Sequence, residues 1–141
     1  MKRLSIIFTT MALGLLVGCS SVSSSASAKT REYARNHELV GQASWYGSKF
    51  HGKLTASGEK YNMRALTAAH KTLPFGTIVK VTNTETNKSV QVKINDRGPY
   101  AKNRVIDLSQ RAFEQVGDTN KGLISVRIDI IDDSNTFRYK H

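Results

Sequence analysis

One cysteine, Cys19, is all that this 141-residue chain contains, so no internal disulfide and no cysteine cluster for a metal can form. No spacing resembles a metal motif such as His-Glu-x-x-His, so neither a metal nor another cofactor is expected. Acids are scarce too: 11 Asp and Glu stand against 21 Lys and Arg, a formal charge of +10. Such a surface favours anionic partners, and nucleic acid is the usual guess. Long apolar runs are also missing. The stretch from Leu4 to Val17 would rise about 21 Å as a helix, short of the roughly 30 Å of a bilayer core. No internal repeat of useful length is present, and the chain has room for one domain with a real core but not for two.

What is present at the start is Met1-Lys2-Arg3 followed by that apolar run, the charged-then-apolar layout of a secretion signal. It ends Leu16-Val17-Gly18-Cys19-Ser20, which resembles the lipobox of bacterial lipoproteins, where the cysteine is acylated and the chain is cut before it. Ser20, in place of Asp, resembles outer-membrane sorting. Each buried acyl CH₂ contributes about 0.8 kcal/mol, so several chains on Cys19 would make a lasting membrane anchor. Losing Lys2 and Arg3 leaves 21 − 2 = 19 basic against 11 acidic side chains, a formal +8. An exported, tethered protein meets phospholipid head groups, lipopolysaccharide and the carboxylates of peptidoglycan, not nucleic acid. Ser20 to Ala28 is low-complexity and Lys29 to Glu38 is polar; about twenty such residues span roughly 25 Å as a flexible tether. The expected division is a signal over residues 1–18, lipidated cysteine and tether over 19–38, a folded domain over 39–132 and a polar tail over 133–141. A monomer on the periplasmic face of the outer membrane is expected.

Within the domain the periodicity is mostly two. Val90, Val92 and Ile94 alternate with Gln91 and Lys93, and Ile124, Val126, Ile128 and Ile130 alternate with Ser125, Arg127 and Asp129. Ile78 to Thr82 is a third strand, joined to the Ser89–Ile94 run through the turn-rich Asn83 to Lys88. Gly41 to Tyr46, Leu66 to Ala69 and Arg104 to Leu108 complete six. One helix is predicted after Ser109 as N-cap, with Ala112, Phe113 and Val116 as its apolar stripe and Gly117 as a left-handed C-terminal cap. Six short strands and one short helix imply an all-β domain, a small closed barrel, because an open sheet of this size would expose its edges.

Two glycine-cornered loops carry acids: Thr55-Ala56-Ser57-Gly58-Glu59 and Asn95-Asp96-Arg97-Gly98-Pro99. Glycoside cleavage needs a carboxyl to protonate the leaving oxygen, and one carboxyl can serve first as acid and then as base. Asp96 is the first candidate and Glu59 the second, as partner acid or stabiliser of developing charge; His70 is placed to hydrogen-bond either. Each has a plainer reading. Asp96 fits an Asx turn with Gly98 at positive φ, Glu59 a loop glutamate paired with Lys60, and His70 a structural group. Trp45 and Tyr46 offer flat faces for a sugar ring, with Tyr61 and Tyr100 as further candidates. Arg97, Lys102 and Arg104 flank the acidic loop and can contact carboxylates.

These residues lie in ordered motifs: Trp45-Tyr46-Gly47, Phe50-His51-Gly52, Thr55 to Glu59, Leu66 to His70, Leu73 to Thr77, Val81-Thr82-Asn83, Ile94 to Pro99 and Ile106-Asp107-Leu108-Ser109. Over about Gln42 to Ile131 the set resembles the rare lipoprotein A (RlpA) family. That resemblance implies a six-stranded double-psi β-barrel, the fold also of expansins, barwin-like proteins, family 45 endoglucanases and membrane-bound lytic transglycosylase A. It further implies non-hydrolytic cleavage of peptidoglycan between N-acetylmuramic acid and N-acetylglucosamine, leaving 1,6-anhydro ends and preferring peptide-stripped glycan. By resemblance to the endoglucanases and transglycosylase A, Asp107 would be the acid; its plainer role is to stabilise the helix begun at Ser109. The rival to an enzyme is an expansin-like glycan binder without turnover. Many of the resembling proteins continue into a SPOR domain; with the chain ending at His141, septal targeting is not expected.

Overall fold

The computed structural model describes residues 37–134 and residue 136. The expected signal segment, Cys19, the tether up to residue 36 and most of the tail lie outside the described residues. Among the described residues six strands, β1 (Val40–Tyr46), β2 (Thr67–His70), β3 (Ile78–Asn83), β4 (Ser89–Asp96), β5 (Arg104–Ser109) and β6 (Ile124–Asp132), accompany one helix, α1 (Gln110–Val116). A 3₁₀ turn covers Ser48–Phe50. The strands close in the order β1-β5-β2-β4-β3-β6, so no sheet edge is left open. The β1–β5 and β2–β4 pairs are parallel and the other pairs antiparallel. The expected six-stranded barrel with one short helix is what forms.

Alternation builds the interior. On β4, Val90, Val92 and Ile94 are buried while Ser89 and Gln91 are exposed, and in register on β3 Val81 faces Val90 and Val79 faces Val92. On β6, Ile124, Val126 and Ile128 supply the matching face. Burying each such side chain contributes about 1.5–3 kcal/mol. Asn83 organises the β3–β4 connection: its Oδ1 accepts from the Glu85 and Thr86 amides at 2.9 and 3.3 Å, and its Nδ2 donates to the Val116 carbonyl at 2.8 Å, tying the hairpin to α1.

α1 plugs the barrel with Ala112, Phe113 and Val116. Ser109 caps it as expected: Oγ accepts from the Ala112 amide at 3.3 Å and donates to the Ala65 carbonyl at 2.6 Å. Gly117 does not fit the expectation of a left-handed cap. Its φ and ψ are −158° and 175°, extended backbone open to any residue. Space is the reason for glycine here, since a Cβ would sit 2.9 Å from Ile124 Cγ2 and 3.2 Å from Phe113 Cε1. Gly117→Ala should therefore cost about 1–3 kcal/mol by overpacking, and Ser109→Ala about 1–2 kcal/mol by loss of the cap. Urea unfolding measures both; a Gly117→Ala protein as stable as the parent would show that Ile124 can move aside.

Candidate functional site

The site begins with β2, which lies between β4 and β5. Ala69 is the register partner of Asp96 on one side and of Asp107 on the other. With strands about 4.8 Å apart, the two aspartate Cα atoms lie roughly 10 Å from each other across one methyl group. Alternation explains Asp107, which points outward between the buried Ile106 and Leu108. It does not explain Asp96, which by alternation would follow Ile94 into the core. The register skips Asn95 between Ala68 and Ala69, and this irregularity turns Asp96 onto the outer face with Ala69. A groove of about 200 Å³ opens there, lined by Tyr46, Phe50, Lys53, Leu54, Thr55, Tyr61, Ala69, Asp96, Arg97 and Asp107.

The two acidic loops of the sequence meet at this groove. Asp96 Oδ1 accepts from the Ala56 amide at 2.9 Å and the Arg97 amide at 2.8 Å, and the Ser57 amide donates to the Asn95 carbonyl at 3.2 Å. Among the described residues Asp96 Oδ2 receives no hydrogen bond. Asp107 is placed differently. Its Oδ2 accepts from Arg104 Nη2 at 3.0 Å, while Oδ1 is buried and unpartnered. Burial pushes the Asp107 carboxyl above the usual aspartate range; Arg104 opposes this and Asp96 adds to it.

Tyr46 projects into the groove from the end of β1, its ring 4.3 Å from that of Tyr61. Burial first, and the charge of Asp96 next, push its phenol up, so the hydroxyl keeps its proton. That hydroxyl is buried; the Thr67 hydroxyl lies nearby without completing a hydrogen bond to it. Tyr61 is buried and clamps the floor, donating to the Tyr46 carbonyl at 2.6 Å and accepting from the Gln110 amide at 3.3 Å.

Other expected residues go elsewhere. Trp45, one position before Tyr46, points inward and packs on Phe113 at 6.4 Å; strand alternation separates the two aromatics. Glu59 does not line the groove and pairs not with Lys60 but with Lys93 at 3.0 Å, while Asn95 Nδ2 donates to it at 3.1 Å. His70 bonds neither carboxylate. Its Nε2 lies 2.8 Å from the Glu38 carbonyl, and its Nδ1 accepts from the Thr72 and Leu73 amides at 3.1 Å each. Arg97 Nη1 donates to the carbonyls of His70 and Leu73 at 3.1 and 2.8 Å, with the guanidinium 3.9 Å from the Phe75 ring centroid. Tyr100 is exposed on the loop after the acid. Lys102 lines a separate, larger depression whose one acid, Glu38, is bonded to Lys71 at 2.8 Å. That depression holds no carboxyl pair among its lining residues. Among the described residues no three His, Cys, Asp or Glu side chains are grouped to hold a metal ion. Lys53 and Leu54 line the groove without having stood out in the sequence, and Phe50 stood out only within its Phe50-His51-Gly52 motif, because no periodicity marks the long excursion between β1 and β2.

Residues 38–128 match the family model described as lytic transglycolase, with a double-psi β-barrel domain. The chain belongs to this family. It is 54% identical over 92 residues to the endolytic peptidoglycan transglycosylase RlpA of Neisseria meningitidis serogroup A, covering 65% of this chain and 38% of that one. To the protein of the same name from Campylobacter jejuni it is 56% identical over 91 residues, covering 64% and 33%. The chain thus spans little more than a third of the length of these relatives. Its fold is similar to that of an expansin from Clavibacter michiganensis, solved as a mutant with cellohexaose, at a TM-score of 0.53 and 21% identity over 67% of this chain and 50% of that one. The double-psi barrel expected from the motifs is borne out, as is the kinship with RlpA.

Burial lowers the His70 pKa from 6.5 to about 4, although the bond to the Glu38 carbonyl partly offsets this. The folded ring is neutral where the unfolded ring is charged, so the unfolded chain binds more protons between those values. Stability is then full above about pH 6.5 and falls as pH drops toward about 4, by at most ~3 kcal/mol. His70→Gln should flatten the dependence of urea-unfolding free energy on pH across that window. An unchanged slope would show that the ring titrates freely.

Proposed function

We propose that this chain is an endolytic lytic transglycosylase of peptidoglycan that uses Asp96 as its acid and base. The observation that carries the reading is an aspartate fixed by two backbone amides through one oxygen, with its other oxygen unbonded among the described residues, in a groove beside a second carboxyl. Asp107 is less suited to touch substrate, because Arg104 holds one oxygen and the other is buried.

The step needs no water. Protonated Asp96 gives its proton to the bridging oxygen as the bond to the muramic acid C1 breaks, and the N-acetylglucosamine side leaves with a hydroxyl. The muramic acid C6 hydroxyl attacks C1 of the oxocarbenium-like centre and closes the 1,6-anhydro ring. Its proton passes to the Asp96 carboxylate, which restores the starting state. Burial inclines Asp107 to keep a proton to higher pH than an ordinary aspartate, which limits the negative charge facing Asp96. Tyr46 offers apolar surface along the glycan. Glu59 acts as a positioning residue: by holding Lys93 and Asn95 it seats the loop whose Ala56 amide fixes Asp96. The substrate is peptide-stripped glycan, and the setting is the cell envelope, with the protein anchored through Cys19 to the outer membrane.

Incubation with peptide-free and intact peptidoglycan, read by mass spectrometry, tests the reaction. The parent should yield anhydro-ended fragments, Asp96→Asn should lose about 10²–10⁴-fold in rate, and Glu59→Gln should keep measurable turnover. Binding without fragments would replace the enzyme by a glycan binder. Turnover that survives Asp96→Asn but not Asp107→Asn would reassign the acid, and a Glu59→Gln protein as inactive as Asp96→Asn would make Glu59 part of the chemistry. For the anchor, Cys19→Ala should move the protein from the membrane fraction to the soluble periplasm or trap its precursor; unchanged fractionation would exclude lipidation.

A further inference from the structure

Most cations near the groove are already engaged. Arg97 donates to two backbone carbonyls, Arg104 holds Asp107, and Lys93 holds Glu59. Lys49 and Lys53 differ. Neither has a carboxylate partner among the described residues; instead the two ammonium groups lie 5.1 and 5.5 Å from the centroid of the Phe50 ring. Phe50 is 39% exposed and meets Tyr46 edge-on at 6.3 Å, so Phe50 and Lys53 form the lip of the groove that holds Asp96, and Lys49 lies just outside its lining.

The lip is built rather than loose. Gly52, at φ +80°, donates its amide to the Tyr61 carbonyl at 2.8 Å, and the Tyr61 amide returns a bond to the Lys53 carbonyl at 2.8 Å. The Lys53 amide also donates to the Phe50 carbonyl at 3.0 Å. Buried Tyr61 therefore fixes the backbone of Lys53 on one side and, through its hydroxyl, the end of β1 on the other. An ammonium held over a ring keeps its charge attractive to an anion while part of its water shell is already displaced.

We propose that Lys53, with Lys49 beside it, forms a carboxylate-reading subsite over Phe50 that takes the free lactyl carboxylate of a peptide-stripped muramic acid residue. This rests on the glycan-cleaving reading of the groove and names the residues that select its substrate. In a strand bearing stem peptides the lactyl carboxyl is an amide, neutral and followed by bulk. In a stripped strand it is an anion on a short arm. A lysine at the lip binds the second by a charge-assisted hydrogen bond and gains little from the first.

The test separates binding from turnover by using Asp96→Asn protein, in which Asn can still accept the two amide bonds. Its affinity is measured by calorimetry for peptide-free glycan strands and for the same strands with lactyl carboxylates converted to methylamides. The carboxylate form should bind about five- to tenfold tighter, and adding Lys53→Gln and Lys49→Gln should bring the ratio close to one. In the otherwise unaltered enzyme, the Lys53→Gln change should likewise bring the KM values for the two strands together. Cleavage of glycan with the affinity ratio unchanged by both lysine substitutions would overturn the subsite alone. Discrimination through Lys53 without cleavage would uphold the subsite and overturn the enzyme. Failure to bind either strand would overturn both.

Discussion

The insertion of β2 between β4 and β5 is the constraint on which the groove depends, because it decides which face of the barrel each acid occupies. β2 is only Thr67–His70, and every one of its residues is buried. Its parallel pairing with β4 and antiparallel pairing with β5 bring two aspartates to one alanine. A larger side chain at position 69 would fill the space between the carboxyls. Regular pairing along β4 would send Asp96 into the core beside Ile94, where an unpaired charge is costly. The register irregularity at Asn95 resolves both demands: Ile94 stays inside, Asp96 comes out, and the Asn95 side chain turns to Glu59.

That arrangement needs a second layer to hold it. The excursion between β1 and β2 supplies it through Tyr61 below and the Thr55–Glu59 turn above. The turn closes on itself by the Thr55 amide to the Glu59 carbonyl at 2.8 Å and the Gly58 amide to the Thr55 carbonyl at 3.0 Å, with Gly58 at φ +86°. It then docks on the end of β4 through Ala56, Ser57 and Glu59. Each neutral bond of this kind contributes about 1 kcal/mol net and those to a carboxylate more. Their common effect is positional, since they fix one oxygen of Asp96 and leave the other to the groove.

The strands of the barrel were legible because alternation of Val and Ile is a local signal, as β4 and β6 show. The helix start at Ser109 was legible for the same reason. What the sequence concealed depends on partners far along the chain. Glu59 bonds Lys93, 34 positions away, rather than its neighbour Lys60. His70 bonds the Glu38 carbonyl, 32 positions away, rather than an acid. Gly117 shows a different limit: a glycine demanded by a left-handed turn and one demanded by a close neighbour look alike in sequence, and only the Ile124 contact separates them. Trp45 and Tyr46 share a motif yet part on opposite faces, which period two does imply once the strand is known to run through both.

The fate of the basic residues follows from the same geometry. A chain with nearly twice as many cations as anions has positive charge everywhere, so charge alone does not locate a binding surface. The fold uses some cations internally, two arginines near the acids among them. Arg97 staples the β4 end to the carbonyls of His70 and Leu73 and covers Phe75, while Arg104 holds the carboxyl of Asp107. A guanidinium suits such work because its fixed fork of donors reaches several acceptors at once. Lysine ammonium groups on flexible stems are left at the lip, over an aromatic ring and without a carboxylate partner among the described residues. In the proposed subsite anion recognition is thus a property of the excursion that follows β1, while the arginines beside the acids serve the fold, Arg97 on backbone carbonyls and Arg104 on the Asp107 carboxyl.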